Sequence, residues 1–192
     1  YFACIASAKE IPDYQNPTAP RKLKARVPTS KAFDLLGTTL GFISTPLPSS
    51  ENFTSLQTGI VDTVIGGGAE YYWGELKDVT KYLLPCNTHF ETQWLMINTD
   101  VFGSLPTEYQ EVIRSLAQEL QEKGFEVAMA EEQSYYDKFR EIGVTVYDLT
   151  PEQVAAYAKV YREECWPFLE DDLGEAGVKV LNQIRDDLGI SY

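Results

Sequence analysis

The sequence predicts an α/β fold: a mainly parallel βαβαβ sheet flanked by helices, with one long helix added. Two observations predict it. Short runs of β-branched and apolar residues recur at 23–27, 42–48 and 60–65, and between them the apolar spacing turns helical. From residue 104 onward a single helical pattern then persists well beyond the usual length of a globular helix.

Each element follows from its residues. LKARV (23–27) reads as a strand, and Thr29 and Ser30 offer N-caps for a helix with apolar Phe33, Leu36 and Leu40, ended by Gly41. FISTPLP (42–48) is a second strand, kept short by its prolines, and Ser50 caps a short helix through Phe53 and Leu56 that Gly59 stops. IVDTVI (60–65) is the third strand. This order implies a parallel sheet with ligands at the strands' carboxyl ends. AEYYWGELK (69–77) forms about two helical turns. Residues 79–84 and HFETQWLMI (89–97) read as further strands.

The long helix starts at Ser104-Leu105-Pro106 and keeps its spacing through Val112, Ile113, Leu116, Leu120, Phe139 and Ile142. Unbroken to Gly143, it is about 36 residues and about 54 Å long, with Gly124 as its weak point. The irregular spacing disfavours a coiled coil and suits a strut between two lobes. VTVYDL (144–149) returns to strand. Thr150-Pro151-Glu152-Gln153 starts a helix with a capping box, Pro167 ends or kinks it, and a last helix follows Gly174.

Composition limits the partners. The 192 residues, 44% hydrophobic with three tryptophans, suffice for one large domain or a domain with an appendage. A net charge of −13 sets the surface against nucleic acid. No run of apolar residues is long enough to span a membrane. Tyr1 opens directly on YFACIASA, which reads as a mature or truncated chain rather than a natural start. Cys4, Cys86 and Cys165 are either buried free thiols or one disulfide with an odd cysteine. His89 is the only histidine, so no zinc site is expected.

Gly66-Gly67-Gly68 follows a strand and opens a helix, the outline of a phosphate loop. The lysine and hydroxyl of a Walker loop are missing, and Tyr71 stands where a dinucleotide loop needs its third glycine. No nucleotide or other cofactor is expected. The glycines either meet a positive φ or close packing, or leave space beside a ligand near the helix-start N–H groups.

Three segments, in order, carry a resemblance: KARVPTSKAFDLL, TPLPSSENFTSLQTGIVDTVIGGG and INTDVFGSLPTEYQEVIRSLA. Over residues 21 to 145 the chain resembles the DctP-type substrate-binding proteins of tripartite ATP-independent periplasmic (TRAP) transporters. The resemblance implies a periplasmic binding protein-like lobe and a long inter-lobe helix. It also implies a periplasmic protein, lipid-anchored in some hosts, that closes on a small organic acid and delivers it to membrane permease subunits. The implied division is an α/β ligand-binding lobe at 1–103, the connecting helix at 104–143, and a strand and C-terminal helices at 144–192 packing back on the lobes.

In that family the arginine of the RVP motif binds the ligand carboxylate, which assigns the role to Arg26; its guanidinium suits bidentate pairing. Thr29 then faces the cleft or serves as the helix N-cap. The chain departs from the family at two places. Gly66 replaces an asparagine that contacts ligand, with Thr63 in place of a glycine, and Ser49 replaces an aromatic found in members that take sialic acid-like ligands. The glycine run is therefore read as widening the cleft wall. Trp94 either stacks on a flat ligand or sits in a core. Glu91 either accepts from a ligand hydroxyl, helps hold a cation, or is a solvated edge residue. Tyr71, Tyr72 and Trp73 are read as packing.

Family members are longer, so the chain reads as the second lobe with its connecting helix. On that reading Arg26 faces solvent, and the helix exposes apolar side chains around Phe125, Val127 and Tyr135, favouring self-association. An enzyme finds little support. His89, Glu91 and Cys86 form the only reactive cluster, with His89 and Glu91 on one face of the expected strand. A ligand-sensing or partner-binding scaffold is the other alternative, told apart from a transport receptor by ligand-dependent closure.

Overall fold

The computed structural model describes residues 2–92 and 94–190, Asp171 by its backbone alone. Six strands form one sheet: β1 (Cys4–Ser7), β2 (Lys24–Val27), β3 (Ile43–Pro46), β4 (Thr63–Gly67), β5 (Tyr82–Leu84) and β6 (Thr145–Val146). Their spatial order is β3-β2-β4-β1-β5-β6. β2 pairs in parallel with β3 and β4, and β5 with β6, while β1 runs antiparallel to β4 and β5. Five strands thus share one direction and β1 opposes them.

The expected βαβαβ unit is present. α1 (Lys31–Thr39) links β2 to β3, and a 3₁₀ turn (Ser49–Glu51) with α2 (Asn52–Gln57) links β3 to β4. α3 (Ala69–Leu76) follows β4. Period-two alternation sends neighbours in a strand to opposite faces. Cys4, Ala6, Val64 and Leu83 pack under α3 with Tyr72, Leu76 and Phe139. Ile5, Ala25, Val27, Ile65 and Leu84 pack on the other face with Leu36, Leu40 and Tyr157. Arg26, between Ala25 and Val27, therefore belongs to the α3 side.

Asp62, the aspartate of the VD motif, is a structural clamp. Its carboxylate accepts from the Lys24 N–H at 2.9 Å and pairs with Lys9 at 2.7 Å. Its carbonyl accepts from Ala8 N–H and the Ser7 hydroxyl. One residue fixes the start of β2 against the exit of β1.

The long helix is α5 (Thr107–Glu141), 35 residues, about 52 Å by helix rise. It runs through Gly124 without a break, because nothing lies within 4 Å of where a Cβ would stand and no neighbour forces a bend. Its C-terminal part docks through buried Glu132 and Phe139, while farther back Phe125 meets the Phe90 ring at 6.3 Å. α4 (Thr99–Ser104), capped by the Asn98 side chain, precedes it and was not read from the sequence. α6 (Pro151–Glu164) starts with the expected reciprocal capping box of Thr150 and Gln153. The last helix, α7 (Trp166–Leu188), has Pro167 in its first turn and is kinked at Gly174, where φ is +63°. The three cysteines are free and buried.

The strand expected over 89–97 does not form. Phe90 makes an isolated antiparallel bridge to Phe2, and 91, 92 and 94–98 have no regular structure. Gln93 lies outside the described residues. Trp94, Leu95, Met96 and Ile97 are exposed, so no buried face is available to stabilise pairing. β1 was the strand missed: all four of its residues are buried, which removes the alternation that identifies a half-buried strand.

Candidate functional site

The parallel strands end at a groove. Arg26, Pro28 and Thr29 from the end of β2, Pro48 and Ser49 after β3, and Gly66 and Tyr71 from β4 and α3 line about 470 Å³. That volume suits a small molecule, and the carboxyl ends of parallel strands are where such folds bind ligands.

Arg26 is 5% exposed, not solvent-facing as the truncated-lobe reading expected. Its Nε donates to the Leu47 carbonyl at 2.8 Å. Among the described residues no carboxylate pairs with its guanidinium. Burial pushes its pKa down from the ordinary arginine value, while Tyr72 and Tyr71 oppose the shift. Arginine keeps its proton in proteins, so this is a buried cation without a protein counter-ion. The groove thus offers a buried positive charge to whatever enters it.

Gly66 lies in the wall with φ +102°, and a Cβ there would stand 2.8 Å from two ring atoms of Pro28 and 3.2 Å from Phe33. Backbone conformation and close approach both require glycine. Thr29 is exposed and lines the groove; Ser30 occupies the N-cap position, without a side-chain cap bond. Tyr71 packs against the core as read and also lines the groove, and its hydroxyl accepts from Asn52 Nδ2 at 3.0 Å. Tyr72 and Trp73 do pack: Tyr72 is fully buried, and Trp73 meets Phe139 edge-on.

The structure brings Arg26, Thr29 and Gly66 together but not Glu91 or Trp94. Both follow Phe90, which bridges to Phe2, and neither is in the groove's lining. Trp94 is 77% exposed. Without the strand, His89 and Glu91 have no shared pleated face. The His89 ring lies between Phe33 and Tyr161, burial lowers its pKa, and Cys86 is buried separately under the Ala3 carbonyl. Among the described residues no group of His, Cys, Asp and Glu is placed to hold a metal ion, and no helix is long and apolar enough to cross a membrane.

A second depression, about 450 Å³, lies at the amino ends of β5 and β6, lined by Trp73, Lys77, Lys81 and Gly143 among others. Its Lys77 already sits over the Trp73 ring at 5.3 Å, and Asp78 in the same lining offsets its charge. The groove is the better candidate, because its cation is both buried and unpaired.

Known proteins share this fold. A family model described as "Bacterial extracellular solute-binding protein, family 7" (DctP) matches residues 12–181. The ectoine-binding periplasmic protein TeaA of Halomonas elongata is 30% identical over 153 residues, covering 77% of this chain and 44% of that protein. The C4-dicarboxylate-binding periplasmic protein DctP of Rhodobacter capsulatus is 23% identical over 139 residues, 72% of this chain and 42% of that one. The crystal structure of a TRAP periplasmic solute-binding protein from Desulfovibrio salexigens, with bound orotic acid, has the same fold: TM-score 0.79, 20% identity, 96% of this chain and 58% of that one. The chain spans about two fifths of the length of the curated relatives it matches. With a family match over 170 of its residues, the chain belongs to family 7 of the bacterial extracellular solute-binding proteins, the DctP family.

Proposed function

We propose that this chain supplies one wall of the ligand site in the solute-binding component of a TRAP transporter, and that the ligand is a small organic acid. The observation that carries the reading is Arg26: a guanidinium 5% exposed, tied to Leu47 by Nε alone, with no described carboxylate beside it. A carboxylate seated on its two Nη groups gains charge-assisted, bidentate hydrogen bonds in a low-dielectric site. Thr29 stands beside it as a hydroxyl, and Gly66 as wall backbone packed against Pro28 and Phe33 rather than as cleared space. Glu91 and Trp94 reach the ligand only if closure brings the 91–97 segment over the groove.

The relatives' ligands support an acid: a C4-dicarboxylate for one, orotic acid for another. Ectoine in the TeaA case keeps the exact acid open. A periplasmic location and hand-over to membrane permease subunits follow from the same family logic. So does the division into a lobe at 1–103, a connecting helix at 104–143 and a returning segment at 144–192. The test is calorimetry on the full-length protein with orotate, succinate and ectoine, repeated with Arg26→Ala and Arg26→Lys. Loss of a desolvated charge pair weakens binding by about 2–5 kcal/mol. Unchanged affinity in both variants overturns the reading.

A further inference from the structure

The geometry points to Tyr71 as a second ligand anchor in the groove, an assignment that rests on the carboxylate reading of Arg26. α3 carries two tyrosines in succession, which the helix sets about 100° apart around its axis. Tyr72 turns into the core. Its hydroxyl meets the Gly67 N–H at 3.0 Å and the carbonyls of Cys4 and Val64 at 3.2 and 3.1 Å, so it has nothing left to offer. Tyr71 turns to the groove and is half-buried there.

The hydrogen bonds of Tyr71 leave it as a donor. Its oxygen accepts from Asn52 Nδ2, and Asn52 is 1% exposed with an amide oxygen that has no partner among the described residues. That amide is buried and spends one N–H on the phenol. A phenol has one hydrogen to give, and with its acceptor side engaged by Asn52 the hydrogen is available to the groove.

Arg26 has the complementary pattern. Its Nε is taken by Leu47, which leaves the two Nη groups for a ligand. The lining contains no carboxylate, and its other polar side chains, Thr29 and Ser49, are hydroxyls. Donors therefore outnumber committed acceptors. A carboxylate, with about four lone-pair sites, can take both Nη groups and the Tyr71 hydroxyl together. An uncharged amide of the same shape cannot.

The experiment is calorimetry on the full-length protein with orotate and succinate as probes, comparing wild type, Arg26→Ala, Tyr71→Phe and Tyr71→Gln. Tyr71→Phe is expected to weaken the probe that wild type binds by about tenfold or more, the effect of losing a hydrogen bond to a charged group. Tyr71→Gln, still a donor, is expected to bind more tightly than Tyr71→Phe, an order that a purely structural role does not produce. If wild type binds and depends on Arg26 while Tyr71→Phe keeps wild-type affinity, the Tyr71 assignment falls and the carboxylate reading stands. If Tyr71→Phe does not fold, wild-type affinity in Tyr71→Gln supports a donor role, and binding lost in Tyr71→Gln while Arg26 remains required overturns it. If wild type binds neither probe, both readings fall.

Discussion

Gly66 and Pro28 meet so closely that a single added carbon on Gly66 would stand 2.8 Å from the pyrrolidine ring. The contact joins the ends of β4 and β2, the two strands that frame the groove.

Gly66→Ala is accordingly expected to destabilise the fold by about 1–3 kcal/mol, from the positive φ alone. Gly66→Asn, which restores the side chain common elsewhere in the family, should do the same and weaken acid binding. Gly124→Ala is the control. It lies in a helix interior with nothing within 4 Å, so it should stabilise by about 0.5–1 kcal/mol. Urea unfolding of the variants reads both signs, and equal effects at the two glycines would show that neither the positive φ nor the Pro28 contact constrains position 66.

Asp62 should give the protein a limb of acid sensitivity. Burial opposes its ionisation, but hydrogen bonds from Lys9 and the Lys24 N–H outweigh it and hold the carboxyl below its ordinary range. Because the folded-state pKa is depressed, this stability is fully present above the unfolded-state pKa. It is lost as pH falls through the folded-state value. Asp62→Asn should cost about 1–3 kcal/mol at neutral pH and progressively less in acid. A gap between variant and wild type that stays constant with pH would rule this out.

Tyr72→Phe removes the acceptor of the buried Gly67 N–H and should cost about 1–3 kcal/mol. Hydrogen exchange should show faster exchange at the Gly67 amide than at its strand neighbours. An unchanged Gly67 rate would mean another group takes over the bond.

The amino-terminal part of α5 carries exposed Val112, Leu116, Leu120, Phe125, Val127 and Met129. Tyr135, expected among them, is instead half-buried against the core. We expect the 192-residue chain to associate in a concentration-dependent way through this surface, and Leu116→Lys with Leu120→Lys to reverse it. Sedimentation velocity decides; a strict monomer at all concentrations counts against it.

Local signals made much of the fold legible. Turn glycines and a change of period marked β2 through β4, and Thr150 with Gln153 announced α6 to the residue. β1 was hidden because burial on both faces leaves no alternation, and 89–97 misled because apolar content was taken for pairing. In the groove, Arg26 was visible through its motif. Tyr71 was not, since its role depends on which of two adjacent tyrosines turns outward and on Asn52, nineteen positions away. Neither fact is written in local spacing.

Cys4 lies where β1 meets the long helix. Its thiol is fully buried beside the Glu132 carboxylate at 3.6 Å and the Tyr136 hydroxyl at 3.5 Å, with burial first and the Glu132 charge second pushing its pKa up. A neutral, enclosed thiol does not react with alkylating reagents. Modification of Cys4 therefore requires that the packing of α3 and α5 over the start of β1 open, and the alkylation rate becomes a clock for that event. Mass spectrometry of the Cys4 peptide against time turns the junction into a built-in gauge of how often this packing opens, with no engineered probe.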